Sequence, residues 1–310
     1  MKKLGLFVLA ALLIAMGAIY YFIPSQLVVA ESLKVNLVPD AVFRNLSVPA
    51  QWQRWLPQAS AAEGGALQVE NYSYRLTRHA TNNLGISITG PSTQVMSEMY
   101  LLSIPTDSTL IKWQFTLDGG NSPLARISAY RKAVVIKQHM HDVLNGALKY
   151  LSDFKNVYGF PYQEGTVTDI YHITTKAVMT SYPKTEDAYR LIDKLSKYCA
   201  DNGCAIKGPP MQNISPLEDS TYQIMVALPV DRDMASTKDI TSIKMVPGKF
   251  LVAEVTGGPG AIAALYQQMH YYFQDYRRTA MAIPFDYLVT DRRKETDTSK
   301  WHTQVYFPVY

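Results

Sequence analysis

The chain has 310 residues, 47% of them hydrophobic and 18% charged, which is material for about two domains and excludes wholesale disorder. The formal net charge is +4. Lys2 and Lys3 supply two of those charges, and the remaining +2 (4 − 2), spread among acidic residues, excludes a nucleic-acid surface built on bulk positive charge. No nucleic-acid partner is expected.

Leu4 through Ile23 is an uncharged apolar run of 20 residues (23 − 4 + 1) behind the two lysines. At ~1.5 Å per residue it has the length of a hydrocarbon core of about 30 Å. Tyr20, Tyr21 and Phe22 sit where an interfacial aromatic belt belongs, and Pro24 ends the helix. Segment 1–24 is therefore expected to be a membrane anchor acting through residues 4–23. The positive-inside rule puts the soluble part on the periplasmic or extracellular side. The rival is a signal peptide cleaved after Ala30, at Val28-Val29-Ala30, which gives a secreted product.

Residues 31–157 read as one domain. Leu33, Val35 and Leu37 alternate as a strand, Pro39-Asp40 opens a short helix, and Trp52-Gln53-Arg54-Trp55-Leu56-Pro57 follows. Strand patterns cover 72–77, 84–89, 93–104 and 109–117, with turn signals such as Asp118-Gly119-Gly120 near them. A helix over 133–154, with Val143, Leu144, Ala147, Leu148 and Leu151 as its buried stripe, closes the unit. On "VFRNLSVPAQWQRWLP" and this element order, about 120 residues resemble the START/polyketide-cyclase (SRPBCC) superfamily. The resemblance implies a helix-grip fold with an apolar cavity and no particular reaction; Trp52 and Trp55 read as core.

Tyr158-Gly159-Phe160-Pro161 reads as a linker, and 162–310 as a domain made of two half-repeats, about 166–230 and 240–310. Ala188, Leu191, Ile192, Leu195, Tyr198 and Cys199 recur as Ile262, Leu265, Tyr266, Met269, Tyr272 and Phe273, 74 residues on (262 − 188). Pro210 and Pro284 keep that offset. The strand Tyr222–Val230 recurs at an offset of 79 in Trp301–Val309 (309 − 230). Helical spacing followed by alternation, twice, predicts a duplicated β-α-β-β unit with Ile243 near the opening of the second copy. The fold class is thus α+β: an N-terminal transmembrane helix, a START-like domain and a duplicated domain with pseudo-two-fold symmetry.

The matching residues of this second domain are Val246-Pro247-Gly248-Lys249-Phe250, Thr256-Gly257-Gly258-Pro259, Ala282-Ile283-Pro284-Phe285-Asp286-Tyr287 and Trp301–Val309. Over about 145 residues they resemble the GyrI-like effector-binding domain of some bacterial regulators. The resemblance implies a ligand crevice between the halves, with a family glutamate replaced here by Asp286. A buried carboxylate is costly unless partnered, so Asp286 is either the polar selector of the ligand or a residue that bonds a turn donor or faces water. Phe285 and Tyr287, one residue away on a strand, point to the other face. Tyr189, Tyr266 and Trp301 are candidate ligand walls, and His270 lies on the same helix side as Tyr266.

No metal-ligand spacing, phosphate loop or nucleophile–base couple is present, so no metal, cofactor or catalytic residue is assigned. Cys199 and Cys204 are either two thiols or, in an exported chain, a disulfide. The function expected is that of a membrane-anchored, exported protein holding a small hydrophobic or cationic amphipathic molecule. The alternative is a hydrolase or cyclase using Asp286 and neighbouring tyrosines.

Overall fold

The computed structural model describes residues 2–56, 58–62, 65–246, 248–279 and 282–309. Pro57 and Pro247, each part of a motif above, lie outside them. The chain divides into two units, Met1–Val157 and Tyr158–Tyr310. Both mix helices with antiparallel sheets, so the α+β class holds.

In the first unit α1 (Lys2–Phe22) leads into β1 (Gln26–Val35), α2 (Pro39–Leu46) and α3 (Pro49–Trp55). Then come β2 (Ser60–Ala62), β3 (Ala66–Val69), β4 (Tyr72–Ala80), β5 (Asn83–Gly90), β6 (Thr93–Ile104), β7 (Ser108–Asp118) and α4 (Pro123–Leu151). The seven strands run β1-β7-β6-β5-β4-β3-β2 across one sheet. Period-2 alternation buries Leu84, Ile86 and Ile88 on β5 and Ile111, Trp113 and Phe115 on β7. The buried stripe of α4 is Ala129, Ala133, Ile136, Met140, Val143, Leu144, Ala147 and Leu151. Rings fill this interior in a string: Trp52–Trp55 at 5.1 Å, Trp52–Tyr74 at 6.4 Å and Tyr74–Trp113 at 6.2 Å. Trp52 and Trp55 are buried core, as read, and Trp52 Nε1 donates to the Leu46 carbonyl at 2.8 Å.

Two sequence expectations change here, the start of α4 and the membrane anchor. Helix α4 begins at Pro123, ten residues before the expected start, because Ser122 caps it by accepting from the Ala125 N–H at 3.2 Å. Ala30 sits inside β1, paired with Gln114, so cleavage there would remove the strand's first five residues. The N-terminal helix forms, but among the described residues no helix is long and apolar enough to cross a membrane, so the expected anchor over 4–23 is not shown. Tyr20 is also tied to the unit rather than free for an interfacial belt. Its hydroxyl donates to the Asn121 carbonyl at 2.7 Å, and the Arg126 guanidinium lies 4.5 Å over its ring while donating to the Ile23 carbonyl.

A short α5 (Phe154–Tyr158) precedes the second unit's strands and helices: β8 (Glu164–Thr166), β9 (Tyr171–Met179), α6 (Thr185–Asp201), β10 (Met211–Pro216), β11 (Tyr222–Val230) and β12 (Thr241–Lys244). They continue with β13 (Lys249–Thr256), α7 (Pro259–Asp275), β14 (Phe285–Leu288) and β15 (His302–Val309). The sheet order is β12-β9-β11-β10-β14-β15-β13-β8. Read outward from its centre it gives β10-β11-β9 one way and β14-β15-β13 the other, so β9-α6-β10-β11 and β13-α7-β14-β15 are two copies of one unit. Ile243 lies in β12, an edge strand on β9, so the second copy opens at Lys249 rather than near Ile243. The expected stripes are the buried faces of the helices, Ala188, Ile192, Leu195 and Cys199 on α6 and Ile262, Leu265, Met269 and Phe273 on α7. Cys199 and Cys204 are joined by a disulfide.

Candidate ligand-binding cleft

The sheet's centre sets the site. Strands β10 and β14 pair antiparallel, with Met211 opposite Tyr287 and Gln212 opposite Asp286. Gln212 and Asp286 are 74 residues apart, the offset that relates the two helices, and so occupy the same place in the two copies. Alternation turns Phe285 and Tyr287 into an aromatic cluster with Phe250 and Tyr306 on the opposite face. Asp286 and Gln212 are left facing the cleft.

This cleft has a volume of about 1330 Å³. Its floor is β10 and β14; α7 contributes Ile262, Ala263, Tyr266 and His270, and the start of α6 contributes Lys184, Thr185 and Glu186. Ile214, Ile283, Trp301 and Phe307 add apolar wall. Asp286 is 7% exposed and accepts from the Tyr266 hydroxyl at 2.7 Å and, in a long contact of 3.4 Å, from Gln212 Nε2. Burial raises its carboxyl above the usual range, while the two donors and the charge of Arg292 pull it partly back. Burial, the nearby carboxylate and the bond to it push the Tyr266 hydroxyl far upward, so it stays protonated and donates.

Of the five candidate residues, Asp286, Tyr266, Trp301 and His270 line the cleft. His270 lies at an exposed part of α7, with Nε2 2.9 Å from Gln274 Nε2. Tyr189 is displaced from the expected wall: α6 turns it inward, its hydroxyl accepts from the Arg292 backbone N–H at 2.7 Å, and it lines an adjoining pocket of about 540 Å³. Among the polar lining residues that escaped sequence reading are Gln212 and Arg292. Gln212 could have been found by subtracting 74 from Asp286. Arg292 had no such signal, because it lies on the β14–β15 connection, which is much longer than the β10–β11 turn that corresponds to it in the first half.

No family profile matches the chain, and no curated protein matches it. Solved structures similar to it include the EcmrR–DNA complex, at 12% identity and TM-score 0.44, covering 61% of this chain and 72% of that one. Another is SAV2435 bound to tetraphenylphosphonium, at 18% identity and TM-score 0.33, covering 48% and 93%. A third is CalU16 from Micromonospora echinospora, at 17% and 0.31, covering 40% and 73%. Likeness this distant leaves function to the chain's own geometry.

Proposed function

We propose that the second unit binds an amphipathic small molecule in the cleft between its two half-repeats, with Asp286 holding the ligand's polar or cationic group. One observation carries this. A carboxylate 7% exposed stands on the floor of an open, largely apolar cleft, held by two neutral donors and, among the described residues, in contact with no cation. An uncompensated buried charge is costly, and a ligand ammonium or N–H group would relieve that cost. The walls Ile214, Ile262, Ala263 and Phe307 would take an apolar body, whose burial contributes about 25 cal/mol per Å². The resemblance to GyrI-like effector domains points the same way.

The test is calorimetric titration of the full chain with decylamine. Asp286→Asn preserves the size and polarity of the group while removing its charge. It is expected to weaken binding by about tenfold, in line with a charged hydrogen bond of ~1.5–3 kcal/mol. Equal affinity in the two proteins would remove Asp286 from the site. In the alternative of an acid–base enzyme the raised Tyr266 hydroxyl would act as a donor and Asp286 would be the base.

A further inference from the structure

Among the described residues Arg292 is the only arginine or lysine that is buried, at 8% exposure. It is held from three sides. Its backbone N–H donates to the Tyr189 hydroxyl, its Nη2 donates to Thr303 Oγ1 at 3.0 Å, and its guanidinium carbon lies 4.7 Å from the centre of the Trp301 ring. Such stacking fixes the plane of the guanidinium and leaves its edge to make hydrogen bonds.

That edge is not saturated. Nε is buried with no partner, and Nη1 makes no hydrogen bond within the protein yet is not sealed from solvent. Among the described residues no carboxylate oxygen comes within 4.0 Å of it; Asp286 acts on it only through space. The neighbouring arginines differ in this respect. Arg293 bonds both oxygens of Asp193, at 2.9 and 3.1 Å, and Arg190 is paired with Asp187, both pairs being at the surface. The arginine withdrawn from water thus lacks the anion that Arg190 and Arg293 have at the surface, and it borders both the cleft and the adjoining pocket.

Building on the cleft as a ligand site, we propose that its ligand is zwitterionic: an oxyanion, carboxylate or phosphate ester, docks on the open edge of Arg292 while an amine is held by Asp286. The two protein charges face one cleft without touching, an arrangement complementary to a head group carrying both signs. A guanidinium with an open Nη1 suits a carboxylate or phosphate better than a neutral carbonyl, because the bond it makes is then charge-assisted from both sides.

Calorimetry on the full chain would compare three probes with one tail: decylamine, N-decylglycine, and the decyl ester of phosphoethanolamine. At least one of the two zwitterions is expected to bind about tenfold or more tightly than decylamine, and which one does so separates carboxylate from phosphate. Arg292→Gln should abolish that advantage, so that within this variant neither zwitterion binds more tightly than decylamine. Arg292→Lys should keep part of it, because the charge remains and the fork is lost. If Arg292→Gln does not fold, as judged by circular dichroism, the wild-type comparison and Arg292→Lys decide. Decylamine binding as tightly as both zwitterions would overturn the proposal while leaving the cleft as a ligand site. A protein that binds none of the three would overturn both.

Discussion

A single side chain shows the conflict between stability and binding in this cleft. Asp286 has its carboxyl raised by burial, so the folded state takes up its proton at a higher pH than the unfolded chain does. The favourable contribution of the protonated form is fully present below the ordinary carboxylate pKa and is lost as pH rises through the folded one. At pH 7, above the ordinary carboxylate range, keeping this carboxyl buried is therefore a burden on the fold. Asn at 286 still accepts from Tyr266, and a flipped Gln212 amide accepts from it in turn. Asp286→Asn should thus raise stability in urea by about 1–3 kcal/mol at pH 7, and the gain should shrink toward pH 4. A variant as stable as, or less stable than, wild type at pH 7 would show that the carboxylate is better compensated than its contacts indicate. Asp286 was conspicuous in the sequence because it stands where the resembling GyrI-like domains have a glutamate. It could not show Arg292, whose neighbours Thr303, Trp301 and Tyr189 come together only through sheet pairing and the burial of α6.

At the scale of elements, the strongly periodic segments were legible. The stripes of α6 and α7 and the alternation of β11 and β15 announced themselves because each buries one face. Elements positioned by other means were missed. The first ten residues of α4 carry little apolar signal and start from a serine cap, while β12 is a four-residue edge strand fixed by pairing with β9. The disulfide was open from sequence, since its geometry depends on how α6 ends. There Gly203 takes φ +64°, and the Cys204 N–H reaches back to the Cys199 carbonyl at 3.0 Å. The loop it closes is short, so the gain from restricting the unfolded chain is modest. Replacing both Cys199 and Cys204 by Ala should lower unfolding free energy by about 2 kcal/mol, measured by urea denaturation without reductant. Wild-type protein treated with reductant should move by a similar amount, and no change in either case would mean the bond is absent from the folded protein.

For the whole molecule, the two units each have a core of their own, a string of rings in one and the faces of an eight-stranded sheet in the other. Calorimetric unfolding is accordingly expected to resolve two transitions. A ligand at 100 times its Kd should stabilise one of them by about 2.7 kcal/mol and leave the other in place. Movement of both transitions would show that the units unfold as one. Within the second unit, the position shared by Gln212 and Asp286 lies where the two copies meet. Had the copies been separate chains forming a symmetric pair, that position would have had to hold the same residue twice. Two aspartates facing each other would compete for one proton, and two glutamines would offer no charge. Joining the copies in a single chain lifts that restriction, so a lone acid can stand at the centre of an otherwise twofold frame with an amide beside it to donate to it. The same freedom lets one copy alone lengthen its last turn and bring in an arginine. Covalent linkage of the halves is thus what allows a symmetric scaffold to distinguish one end of a molecule from the other.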